Sequence, residues 1–148
     1  MQKIQNLLEP INVLQPTGKD LTYSVDFDDI KRLRSFDDPT LDQGEWVTDL
    51  KMANWPEVIK RCEKLLQESS KDLRLVMWMT EALVHTKGFF GLAEGYTLFT
   101  KMSEQYWDSL YPEAEEGDHE PRMGIFSLAD FAKCAVGVHH RCDRRCRG

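Results

Sequence analysis

The chain has 148 residues and a net charge of −6, with 41% hydrophobic and 10% aromatic side chains. That suits one domain able to bury its own core, and it excludes general disorder. The acidic balance argues against a sequence-independent nucleic-acid binder and against attraction to an anionic membrane surface.

The N-terminus, Met1 to Asn6, lacks the apolar segment of a secretory signal. The longest apolar run, Leu75 to Met79, is far too short to span a bilayer. A soluble, cytoplasmic protein without membrane insertion is expected. A short first helix is predicted from Lys3 to Leu8, stopping before Pro10. Residues 9–23 hold Pro10, Pro16 and Gly18 and read as an irregular arm. Ser24 caps a second helix, with Asp26, Asp28 and Asp29 in its first turns and Phe27, Ile30 and Leu33 on one face. Residues 37–53 read as a long acidic loop carrying Trp46. A third helix starts at the cap Asn54, with Pro56 in its first turn and Glu57 three residues after the cap. Its inward stripe is Val58, Ile59, Cys62, Leu65 and Leu66.

A fourth helix, about Lys71 to Thr86, is apolar nearly all round and is expected at the centre of the core. Its exceptions lie along one line: Arg74, Trp78, Glu81 and His85. Arg74 and Glu81 are two turns apart, about 10 Å, so each needs a partner from elsewhere. Asp20 and Lys19 on the arm are the candidates, and Asp20, Arg74 and Glu81 are expected to form a polar clamp. Gly88 ends the helix. A fifth helix is predicted from Leu92 to Leu110, with Leu92, Tyr96, Phe99, Met102, Tyr106 and Leu110 inward. The acidic loop 113–120 follows, then a sixth helix near Pro121. No strand-type alternation persists. The expected fold is an all-α compact bundle with an irregular N-terminal arm wrapped on it.

Composition changes near residue 130. Residues 1–130 carry 14 basic and 24 acidic side chains, a net −10; residues 131–148 carry five basic and one acidic, a net +4. The expected organisation is a helical domain over 1–130 and a basic Cys/His tail over 131–148, read as disordered or non-native.

Several cassettes go beyond what a generic helical bundle needs. They are Pro10-Ile11, Gly18-Lys19-Asp20-Leu21-Thr22-Tyr23, Glu45-Trp46 and Asn54-Trp55, then Lys71-Asp72-Leu73-Arg74 and Trp78-Met79-Thr80-Glu81-Ala82-Leu83. Gly88-Phe89-Phe90-Gly91-Leu92 and Tyr106-Trp107 through Leu110-Tyr111-Pro112 complete the set. Together they resemble the ImpA N-terminal domain family of TssA-type proteins in bacterial type VI secretion systems. The resemblance implies a non-catalytic assembly domain without a cofactor that binds baseplate, sheath or tube proteins, in a family whose C-terminal regions make oligomers. A homo-oligomer is therefore a candidate state. The candidate partner surface comprises Trp46, Trp55, Asp42, Glu45, Glu115 and Glu116, since contacts often sit on loops held by a scaffold; the alternative for Trp46 and Trp55 is that they pin the loop to the core.

Sharper chemistry has weaker support. Cys134, His139 or His140, Cys142 and Cys146 could supply four zinc ligands, but without a paired Cys-x2-Cys spacing. The Arg141–Arg147 cluster is basic, yet the remainder of the chain would repel a polyanion. Asp37 with Asp38, or Glu115 with Glu116, lack converging partners, and adjacent loop carboxylates usually only solvate. The rival functional reading is a helical adaptor or chaperone unrelated to secretion, although no repeat at a fixed period supports it.

Overall fold

The computed structural model describes residues 2–35, 53–114, 116–118 and 120–125. Among them run six helices: α1 (Gln2–Leu8), α2 (Val25–Arg34), α3 (Trp55–Glu68), α4 (Leu73–Lys87), α5 (Phe89–Tyr106) and α6 (Glu120–Ile125). The described residues contain no sheet, only isolated backbone bridges such as Gly18 with Ser70 and Asp72 with Tyr111, so the fold is an all-α bundle. No described helix is long and apolar enough to cross a membrane.

Local chemistry sets the helix starts. The Ser24 side chain accepts from the Phe27 amide and that of Asn54 from the Glu57 amide, each satisfying a backbone donor left over at a helix N-terminus. The fourth helix starts at Leu73, with its apolar run and two residues later than the expected Lys71. Asp72, with extended backbone, is the cap, its side chain accepting from the Arg74 amide at 2.8 Å. Gly88 ends α4 at φ 64°, a conformation that costs glycine nothing, and α5 follows at once.

Helix α4 is the hub. Leu73, Leu75, Val76, Trp78, Met79, Thr80, Ala82, Leu83 and Val84 are all buried, and α4 packs on α3 and most extensively on α5. Thr80 satisfies its buried hydroxyl by donating to the Val76 carbonyl. Around it, Phe27 meets Trp78 edge-on at 4.9 Å, and His85 stacks on Trp55 at 4.2 Å.

The fifth helix departs from expectation in range and in facing. It runs from Phe89 to Tyr106, three residues earlier at its start and four at its end. Its buried face is Gly91, Gly95, Leu98, Met102 and Tyr106, so Leu92 and Phe99 flank the seam and Tyr96 is exposed. Glycine is the cause. A Cβ added at Gly91 would lie 2.2 Å from the Leu83 carbonyl oxygen, and one at Gly95 2.2 Å from Thr80 Oγ1. The helices approach so closely at these turns that only glycine fits, and that contact, rather than the bulkiest apolar stripe, fixes the rotation of α5.

Candidate functional site

The segment Ser69–Asp72 joins α3 to α4 and is where the arm, both neighbouring helices and the exit of α5 converge. The Lys19 amide donates to the Ser69 carbonyl and the Lys71 amide to the Thr17 carbonyl, so the arm lies along this segment. On the other side the Tyr111 amide donates to the Lys71 carbonyl and the Leu73 amide to the Tyr111 carbonyl. Gly18 is buried with φ 73°; a side chain there would lie 2.1 Å from the Ser69 carbonyl oxygen.

Lys71 is wholly buried. Its Nζ donates to the carbonyls of Leu7 in α1 and Leu66 in α3, both at 2.6 Å. These are acceptors that the last turns of two helices leave unpaired, and both helix dipoles present their negative ends to the ammonium. Tyr106 completes the seat of α1 by donating to the Leu8 carbonyl at 2.6 Å. No carboxylate lies within ion-pairing distance of Nζ among the described residues. Burial therefore lowers the Lys71 pKa from 10.5 to about 8, with Glu9 opposing through space.

The sign of this shift sets a pH response. Between about pH 8 and 10.5 the unfolded chain holds the Lys71 proton more tightly than the folded chain, so folding gains stability as pH rises through that window. Relative to Lys71→Met, the wild-type unfolding free energy should grow by about 2 kcal/mol between pH 7 and 9.5. Using the difference cancels the titration of Cys62, Tyr106 and Tyr111, which burial pushes upward. Urea unfolding of both proteins across this range measures it; parallel curves would contradict the buried-ammonium assignment.

Sequence reasoning missed this role of Lys71. Lys71 lies in the polar run Gln67–Asp72, so nothing local marked it for burial. It also missed Arg122, which is 2% exposed. The Arg122 guanidinium donates to the carbonyls of Pro112 at 2.7 Å, Leu110 at 2.8 Å and Trp107, closing the end of α5.

The three residues expected to form one clamp divide into two contacts. Arg74 binds Asp72 through Nε at 3.0 Å and Nη2 at 2.7 Å, and the same nitrogen reaches Thr22 at 2.9 Å and Asp20 at 3.4 Å. Burial works against the Arg74 charge, but the bond to Asp72 and its charge outweigh it and raise the pKa. The Thr22 hydroxyl leads in lowering the Asp20 pKa, with burial opposing and the Thr22 amide and Arg74 assisting. Glu81 stands apart and accepts from Arg34 Nε at 2.5 Å. The α2 residue Arg34, whose guanidinium also lies over the Trp78 ring, was absent from the sequence reading because pairing across 47 positions leaves no local pattern.

Trp55 is corrected as a partner-surface residue. It is 7% exposed, because its indole packs into the bundle and stacks on His85. Glu116 is exposed, at φ 51° in a turn with Gly117. Trp46, Asp42, Glu45 and Glu115 lie outside the described residues, as do Cys134, His139, Cys142 and Cys146. Among the described residues no group of three or more His, Cys, Asp or Glu side chains could hold a metal ion. Val13, Leu14, Tyr23, Phe89 and Phe90 are the most exposed large hydrophobics. Val13 and Leu14 sit on a turn closed by the Ile11 amide on the Pro16 carbonyl and the Gln15 amide on Asn12 Oδ1.

Comparison with known proteins agrees with this architecture. The profile of the family described as ImpA, N-terminal, type VI secretion system matches residues 8–130. The type VI secretion system component TssA1 of Pseudomonas aeruginosa is 30% identical over 129 residues, 86% of this chain and 37% of the relative. A solved structure of the N-terminal domain, including the conserved ImpA_N region, of the TssA component from Burkholderia cenocepacia superposes with a TM-score of 0.71 at 37% identity. The superposition covers 82% of this chain and 44% of that one. The chain thus spans well under half the length of both relatives.

Proposed function

The chain belongs to the ImpA N-terminal family of the type VI secretion system, and from that premise we propose that it is a non-catalytic, cytoplasmic docking domain binding baseplate, sheath or tube components. The observation that carries this reading is the use made of its buried charges. Lys71 and Arg122 are committed to backbone carbonyls, and Arg74 and Asp72 to each other. Such groups hold a rigid scaffold rather than meet a reacting molecule. A rigid scaffold suits recognition, because little ordering cost is left for the moment of binding.

The acidic turn after α5, with Glu113, Glu116 and Asp118 exposed, is one candidate contact; the loop 37–53 is the other. The test is a pairwise binding assay of the chain against each purified baseplate, sheath and tube component. Lysine at Glu113 and Glu116 together should weaken one interaction by about tenfold while leaving the melting temperature unchanged; Asp118 is kept because its side chain accepts from the Glu120 amide at the start of α6. Unaltered binding after charge reversal in both loops would remove them as the contact surface.

A further inference from the structure

Helix α1 lies across α3 and α5 and is joined to the bundle by a loop that returns to its own starting point. The Lys71 ammonium holds the Leu7 carbonyl near the end of α1, and the Lys71 amide holds the Thr17 carbonyl at 2.7 Å. The two ends therefore lie within roughly 13 Å of each other, one lysine's length plus two hydrogen bonds. Between these anchors residues 9–16 are exposed, apart from half-buried Ile11. Among the described residues none of their hydrogen bonds reaches α3, α4 or α5; the Ile11 amide on the Pro16 carbonyl and the Gln15 amide on Asn12 Oδ1 only shape the loop itself. A loop with close ends ordinarily packs its own side chains. Here the tip residues Val13 and Leu14 are 95% and 93% exposed. Straightened, residues 9–16 would reach about 26 Å, roughly twice what their ends require.

We propose that two copies of this chain exchange α1: each loop straightens, each α1 takes the seat on the other copy, and the two loop tips cover one another through Val13 and Leu14. The seat itself commits the occupant. Lys71 and Tyr106 hold the last carbonyls of α1, and the core holds Leu7, so a second copy's α1 meets the same partners as the first. Exchange keeps all of these contacts. It gives up only the loop's local bonds and takes four large aliphatic side chains out of water. Pro10 and Pro16 fix their own φ and lack amide donors, which stiffens the loop against folding more tightly instead. A pocket on a foreign protein is the poorer occupant, because two side chains alone fall far short of a stable interface. The exchange does not depend on which component the chain docks on.

The test mixes unlabelled and isotope-labelled full chain in urea, refolds them together at high concentration under reductant, and separates monomer from dimer by size. A carbodiimide then joins amines to the carboxylates they touch. Lys3 meets Glu63 at 3.3 Å between α1 and its seat, whereas Lys87 meets Glu94 at 2.9 Å beside the turn joining α4 to α5 within one copy. In the dimer about half of the Lys3–Glu63 linked peptides should carry mixed labels, as random pairing of two equivalent chains requires. The Lys87–Glu94 peptides should stay unmixed. Val13→Ser with Leu14→Ser should weaken dimerisation by about tenfold or more and leave the monomer's melting temperature unchanged, since neither side chain is buried there. Unmixed Lys3–Glu63 peptides in the dimer would overturn the exchange, as would a chain that stays monomeric at every concentration. If such a monomer lost binding to a secretion component on Val13→Ser with Leu14→Ser, the tip would belong to that partner instead. A double variant that dimerises like the unaltered chain would refute the covering of the tips.

Discussion

Gly91→Val should lower the unfolding free energy by more than ~3 kcal/mol, one of the two largest losses expected from a single substitution. An added Cβ meets the Leu83 carbonyl oxygen at 2.2 Å and its carbonyl carbon at 2.4 Å. Both are backbone atoms of a buried helix and cannot rotate away. Relief requires α5 to move off α4, opening the most extensive packing in the bundle. Overpacking of a tight core costs about 1–3 kcal/mol and at times more, and here a β-branched side chain adds to it. Better helix propensity than glycine returns less than ~1 kcal/mol. Gly124 is the internal control: no atom lies within 4 Å of a Cβ built there, so Gly124→Ala should be neutral or stabilise by up to ~1 kcal/mol. Chemical unfolding of both variants measures the contrast, and equal stabilities would dismiss glycine as the device that sets the α4–α5 spacing.

Arg122→Met should cost about 3 kcal/mol and free α6. The guanidinium satisfies three carbonyls at the end of α5, and its carbon lies 5.3 Å from the centre of the Trp107 ring. A hydrogen bond to a charged group contributes about 1.5–3 kcal/mol, and orphaned carbonyls add their own penalty. Burial of the charge without a bound carboxylate offsets part of this, as the downward shift of the Arg122 pKa indicates. Lysine should recover only part of the loss, since a point charge cannot replace the planar fork that spans three acceptors. Helix α6 has six residues, too few to stand alone. Amide exchange in residues 120–125 should therefore accelerate more than exchange in α4. Exchange rising equally in both helices would show that Arg122 supports the whole bundle rather than this corner.

Much of the fold was legible because helix ends and one-sided helices announce themselves locally. Ser24, Asn54 and Gly88 sit at the caps and stop their spacing implied. The apolar run through Leu73–Val84 became the buried hub, since an all-round apolar helix has no stable place at a surface. What escaped was set by contact at a distance. Gly91 and Gly95 carry no apolar weight, so a periodicity count turns α5 toward Leu92 and Tyr96. The i, i+4 spacing of two glycines was the available sign that a neighbouring backbone comes close. Lys71 and Arg122 make sense inside the protein only once tertiary packing has gathered the carbonyls they bind. Their polarity alone would place them outside. Glu81 was recognised as needing a partner, but Arg34 lies in another helix that only the fold brings alongside. Surface side chains carry no periodic or capping signal of their own, so the recognition surface was less legible than the scaffold.

The anchoring of α1 has a consequence for the order in which the protein can mature. Its last carbonyls are held by Lys71 and, 98 positions after Leu8, by Tyr106. At about 5–20 residues per second, the ribosome finishes the landing place some 5–20 s after the first helix has been made. During that wait Ile4, Leu7 and Leu8 travel as a nascent apolar tag, open to chaperones, and the N-terminus is stitched in only when nearly the whole bundle exists to receive it.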